Sequence, residues 1–127
     1  MRLLLDTHAL IWATNEPGEL SAEAGAAIGA GENQNLVSIA GLWEMSIKVN
    51  IGKLRLPNDF FENLEPSGYE IIQLTREHLV AYRNLPVIPK HKDPFDRLLV
   101  AQAISEGLTI VTRDEKLGQY GVPILKA

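Results

Sequence analysis

Short apolar runs that alternate with helical segments constrain this chain more than any other feature. Leu3-Leu4-Leu5, Asn35-Leu36-Val37, Ile71 to Leu74 and Thr109-Ile110-Val111 are too short for helices, and Val122 to Leu125 is a candidate fifth strand. Between them lie segments with helix starts and stops. Thr7 to Thr14 reads as a helix stopped by Asn15-Glu16-Pro17-Gly18. Ser21 caps a second through Ile28, and Ser38 a third to about Val49. Asn58 or Asp59 caps one through Leu64, and Thr75 one to about Leu85. Asp93-Pro94 opens the clearest helix, with Asp at the cap, Pro in the first helical position and Asp96 in the first turn; it ends at Gly107. Glu115-Lys116-Leu117 makes one helical turn stopped by Gly118. Strands that read as continuous apolar runs and alternate with helices predict a mainly parallel sheet covered on both faces. In such sheets ligands bind outside the carboxyl ends of the strands.

The 127 residues predict one domain spanning 1–127. Hydrophobic residues make up 46% and charged residues 22%, which excludes a disordered composition. No apolar run reaches membrane-spanning length, and Leu3–Leu5 is cut off by Asp6 before it could serve a signal peptide. The absence of cysteine excludes disulfides, thiolate metal sites and a cysteine nucleophile, and a cytoplasmic address is expected. The net charge of −4 argues against coating nucleic acid through bulk positive charge, yet leaves room for an enzyme meeting it at one local site.

The chain has five Asp, and Asp6, Asp93, Asp96 and Asp114 all fall at junctions between elements. Each acid has an ordinary structural role open to it. Asp6 can cap the helix after it and Asp114 a turn, Asp93 and Asp96 suit a helix start, and Glu44 stands four residues before Lys48 in ion-pairing order. The helix around Glu44 carries Ile39, Leu42, Trp43, Met45, Ile47 and Val49 on most of its faces, which predicts that it is mostly buried and that Glu44 needs a partner or a cation.

If Asp6, Glu44, Asp96 and Asp114 converge, electrostatics demands compensation. Two unit charges about 4 Å apart repel by roughly 4 kcal/mol at an effective dielectric near 20. All-oxygen ligation points to a hard divalent ion, Mg²⁺ or Mn²⁺. The three histidines, at positions 8, 78 and 91, lack the paired spacing of a zinc protease. Such a site suits phosphodiester hydrolysis, with Thr112 placed to ligate or to position water, or serving as an ordinary strand threonine. Lys92, Arg97 and Arg113, each adjacent to a motif acid or close by, are candidates to hold a substrate backbone. A receiver-type phosphoryl acceptor would want an acidic pair after the first strand, and a haloacid-dehalogenase-like phosphatase a second Asp where His8 stands. Both fit poorly.

Four segments in order now carry a resemblance: Leu4 to Trp12, Val37 to Glu44, Asp93 to Ala103, and Ile110 to Asp114. The chain resembles the PIN-domain nucleases, and among them the toxins of VapBC-type toxin–antitoxin pairs, across essentially its whole length. The resemblance implies a three-layer α/β/α sandwich around a parallel sheet, with Asp6, Glu44, Asp96 and Asp114 as the acidic set and Thr112 as companion hydroxyl. It places Asp93 as a supporting residue of the local Asp-Pro-Phe-Asp pattern. It also implies Mg²⁺ or Mn²⁺ dependence, RNA cleavage, homodimers and a cognate antitoxin protein. The alternative within the same fold is a non-catalytic module that binds RNA or protein, against which the intact acids weigh.

Overall fold

Alternation along the central strand sets the architecture. In the computed structural model, which describes all residues 1–127, β1 (Arg2–Leu5) lies in the middle of a five-stranded sheet. Leu3 and Leu5 point to one face and Leu4 to the other, and all three are buried. A strand apolar on both sides is stable only where both sides are covered. The two faces therefore carry separate cores. Leu3, Leu5, Val37, Val111 and Leu125 pack with residues of α1 (Thr7–Asn15), α2 (Ala22–Gly29) and α3 (Ile39–Asn50). Leu4, Leu36, Ile72 and Ile110 pack on the other face with α4 (Arg76–Arg83) and α5 (Pro94–Glu106). The result is the expected three-layer α/β/α sandwich.

The remaining strands are β2 (Gln34–Ser38), β3 (Tyr69–Ile72), β4 (Thr109–Thr112) and β5 (Ile124–Lys126). Their order is β3-β2-β1-β4-β5, and every pairing is parallel. The chain builds outward from β1 through β2 to β3, then returns to add β4 and β5 on the other side. The direction of winding reverses between β1 and β4. Two neighbouring connections part there, and a crevice opens at the carboxyl ends of those strands.

The ends of the helices follow the side chains that cap them. Ser21, Thr75 and Asp93 accept backbone N–H bonds at the starts of α2, α4 and α5. Gly107 closes α5 in the left-handed region at φ 68°.

Several expectations need correction. Residues 58–64 form a string of turns instead of a helix. Their backbone bonds mix three- and four-residue spacings, such as Phe60 N–H to the Pro57 carbonyl (3.1 Å) and Asn63 N–H to the Asp59 carbonyl (3.1 Å). Burial of Phe60 and Leu64 holds the segment in place without helical continuity. The third strand lies two residues earlier than Ile71–Leu74, because pairing with β2 matches Asn35 to Tyr69 and Ser38 to Ile72. The helical turn after Asp114 runs on as a 3-10 helix over Glu115–Tyr120, passing Gly118 and ending at Gly121, whose φ is 84°. Finally, α3 is buried on one side only: Trp43 is 62% exposed, and Ile47 and Val49 are exposed as well.

A side chain at position 107 would meet nothing within 4 Å, so its only obstacle is the backbone conformation. Gly107→Ala should lower stability by about 1 kcal/mol in urea unfolding, and Gly107→Asn by less, since Asn tolerates the left-handed region. An unchanged midpoint in Gly107→Ala would show that α5 does not end in a left-handed cap.

Candidate active site

The crevice at the β1/β4 junction is a cavity of about 240 Å³ whose wall includes Asp6, Glu44, Asp93, Asp96, Thr112 and Asp114. Local structure brings each of them there. Asp6 is the first residue beyond β1; its N–H bonds the Val111 carbonyl (3.1 Å) and its carboxylate accepts from Ala9 N–H (2.8 Å), capping α1. Ser38 ends β2 and accepts from Ala40 N–H, so α3 starts at the sheet edge and delivers Glu44 in its second turn. Asp93 caps α5 through bonds from Phe95 N–H (2.8 Å) and Asp96 N–H (3.3 Å), which fixes Asp96 in the first turn. Thr112 ends β4 fully buried, and its hydroxyl accepts from Asp114 N–H (3.0 Å). Asp114 in turn accepts from Lys116 N–H (3.0 Å).

The structural roles open to these acids are thus filled, and the same side chains still line one cavity, with Asp96 and Asp114 bringing an oxygen each within 4.8 Å of the other. Capping uses a carboxylate oxygen for a short local bond and leaves the other free to face the cavity. Glu44 shows the same duality. Its side chain is 17% exposed, it accepts from the Thr7 hydroxyl (2.8 Å), and Lys48 Nζ lies 3.8 Å from its other oxygen. The ion pair expected from spacing exists, and it lines the cavity.

The electrostatic consequence is visible at Asp96. Burial pushes its pKa up to about 7, and the nearby charges of Asp93, Glu44, Asp6 and Asp114 push the same way. Asp6 is also raised, chiefly by burial, against the opposing hydrogen bonds of Thr112 and Ala9. Burial lowers His8, with the Arg113 guanidinium adding to the effect. Two oxygen donors that disfavour their own charge, Asp6 and Asp96, fit a hard divalent cation, and with Glu44 and Asp114 on the same wall they supply the ligand types such an ion takes.

The basic residues divide. Arg113 lines the cavity, with its guanidinium 5.5 Å from the Trp12 ring centroid and 3.4 Å from His8 Nε2. Arg97 does not reach it. Its guanidinium lies over the rings of Tyr82 (5.3 Å) and Tyr120 (5.9 Å) and donates to the Pro86 carbonyl (3.2 Å), which ties the loop before α5 to the helix. Lys92 is exposed and likewise off the wall. Conversely, Thr7, His8 and Lys48 line the cavity, although sequence spacing assigns Lys48 only an ion pair and does not single out the other two. His91 stands against Asp96 and Asp114, one of its ring nitrogens and one oxygen of each acid all within 4.8 Å of one another, and its Nε2 lies 3.9 Å from Asp96. Adjacency to Asp6 is the one sequence signal for Thr7 and His8. His91 is hidden between two lysines.

A family model, the PIN domain, matches residues 3–123, and the chain belongs to this family. No curated protein matches it. Among solved structures, a chain of VapBC2 from Rickettsia felis bound to a promoter DNA fragment is 20% identical, with 98% of each chain covered and a TM-score of 0.71. FitAcB from Neisseria gonorrhoeae is 18% identical over 98% of this chain and 96% of that one, at 0.68. A toxin–antitoxin complex from Klebsiella pneumoniae gives 20%, the same coverages and 0.62. At these identities the likeness is one of fold.

An acid whose folded pKa lies above its ordinary 3.8 holds its proton more tightly in the folded chain than in the unfolded one. That contribution favours folding at low pH and is lost as pH rises from about 4 through about 7. The metal-free protein should therefore lose melting temperature between about pH 4 and pH 7, and Asp96→Asn should flatten the decline. An equal slope in the variant would remove Asp96 as its source.

Proposed function

We propose that this chain is a divalent-metal-dependent endoribonuclease and the toxin of a toxin–antitoxin pair. The observation that carries the reading is the meeting of Asp6, Glu44, Asp96 and Asp114 in one cavity at the switch point of the sheet. Membership of the PIN domain family supports nuclease chemistry, and the fold shared with VapBC2 and with a toxin–antitoxin complex supports the partner. RNA as substrate and a homodimeric assembly follow from the family resemblance.

The four acids would hold Mg²⁺ or Mn²⁺. A divalent ion there would polarise a phosphoryl oxygen, lower the pKa of a bound water and offset developing negative charge. The chain's own residues do the rest. Lys48 and Arg113, both on the cavity wall, offer positive charge to a phosphodiester backbone. Thr7 fixes Glu44 through its hydroxyl, and Thr112 favours the charged form of the Asp6 carboxylate. Asp93 holds the first turn of α5 and so sets where the Asp96 backbone stands beside the cavity. A carboxylate left free of the ion can orient the attacking water.

Asp6→Asn and Asp96→Asn should each lower cleavage of a mixed RNA pool, in the presence of Mg²⁺ or Mn²⁺, at least about a hundredfold while the variants stay folded. A folded wild type that cleaves no RNA with either ion would favour the non-catalytic binding module. Added Mn²⁺ should raise the melting temperature of wild type by linkage and leave Asp6→Asn largely unmoved; equal shifts in both would misplace the site.

A further inference from the structure

We infer that His91 supplies a nitrogen ligand, through Nε2, to a divalent-cation position shared with Asp96 and Asp114, giving the acidic cluster a mixed nitrogen–oxygen donor set that favours Mn²⁺ over Mg²⁺. The inference deepens the metal-dependent reading and rests on it.

The backbone aims the ring. Ile88-Pro89-Lys90-His91 closes a turn by a bond from His91 N–H to the Ile88 carbonyl (3.1 Å). Pro89 occupies the second position and Lys90 the third at φ 66°, the pattern of a type II turn, whose third residue is normally glycine or asparagine. Lys90 is the only non-glycine residue of the chain with a positive φ. A lysine there is strained, so the surrounding structure must hold the turn in place.

The side chain is anchored from its other nitrogen. Nδ1 lies 2.8 Å from the Tyr120 hydroxyl, and the two rings pack edge to face at 5.4 Å. Arg97, which can only donate, gives the same hydroxyl an N–H at 3.3 Å. The tyrosine can accept from His91 Nδ1–H as well, or turn its own O–H to Nδ1; in the first arrangement the imidazole proton sits on Nδ1 and Nε2 carries the bare lone pair a ligand needs, and ion binding selects that form. An imidazole held through one nitrogen by a protein group while the other faces the ion is the usual form of a ligating histidine.

Nε2 has no other use in the fold. It is buried and without a hydrogen-bond partner, on a side chain only 10% exposed. The Asp96 oxygen it faces is 3.9 Å away, beyond hydrogen-bond range. A desolvated lone pair turned toward two carboxylates is unfavourable unless something positive lies between them. The three donor atoms lie within 4.8 Å of one another. Three ligands spread evenly around one ion at ~2.1 Å stand roughly 3.6 Å apart, so donors up to 4.8 Å apart close by about 1.2 Å at most on binding. Asp96 and Asp114 line the open cavity while His91 does not, so the two acids join this position to it. Imidazole is a better ligand for first-row transition ions than for Mg²⁺, which demands oxygen and keeps its waters. The competing arrangement carries a proton on Nε2, with Tyr120 O–H donating to Nδ1 or with both ring nitrogens protonated, so that Nε2–H faces Asp96 and no ion touches the ring.

Pulsed electron paramagnetic resonance of Mn²⁺ bound to the intact wild-type protein separates the two directly and needs no variant. Nitrogen modulation on bound Mn²⁺ is expected, persisting in His8→Gln and absent in His91→Gln. By calorimetric titration, His91→Gln should weaken Mn²⁺ binding about tenfold or more and change Mg²⁺ binding less than about threefold. Mn²⁺ bound by wild type without nitrogen modulation, and equally tightly by His91→Gln, would overturn the role of His91 while leaving the acidic site standing. A wild type that binds neither ion would overturn the metal-dependent reading itself.

Discussion

Carboxylates that repel one another are held in a single crevice, and much of the surrounding structure exists to prevent their escape. No single contact does this. Asp6 is fixed by its place at the end of the central strand and by its cap of α1. Asp96 is fixed by the Asp93 cap and the proline that begins α5. Glu44 is fixed by the Thr7 hydroxyl and Lys48, on a helix whose start is set by Ser38. The elevated pKa of Asp96 measures the resulting tension: burial and four neighbouring acids all oppose its charge. A polar cavity under such stress is poorly suited to a purely structural task and well suited to a cation.

The structural and the chemical readings of these acids do not exclude each other. Helix capping is a directional bond to one backbone N–H, and a carboxylate has two oxygens with several lone pairs. The cap therefore serves as a positioning device. It pins the side chain in one rotamer at the sheet edge, where the remaining lone pairs converge. The same economy extends to Tyr120 and Arg97, which tie the loop before α5 to the body of the protein and orient His91.

Where sequence reasoning succeeded, the signal was local. The strands β1, β2 and β4, the caps at Ser21, Ser38, Thr75 and Asp93, and the stop at Gly107 depend on a few adjacent residues. Where it failed, the deciding interaction was distant. Residues 58–64 carry a helix-like pair, Phe60 and Leu64, that burial satisfies without a helix. Arg97 lies one residue from Asp96 and points elsewhere, because two tyrosine rings attract its guanidinium. Adjacency in the chain is a weak guide to direction on a helix, where each step turns about 100°. Trp43 beside Glu44 shows the same thing: one is exposed while the other's side chain is mostly buried.

The sequence by itself determined the class of fold and singled out four acids that share one cavity wall, because alternation, capping and the order of motifs are properties of neighbouring residues. Only the tertiary structure decided which side chains share the cavity, since the winding reverses between β1 and β4 and joins segments more than a hundred residues apart. It alone brought Lys48 to the wall, turned Arg97 away and set His91 against Asp96 and Asp114. The physical reason is that direction and distance across a sheet are set by packing on both faces, which no short stretch of chain encodes.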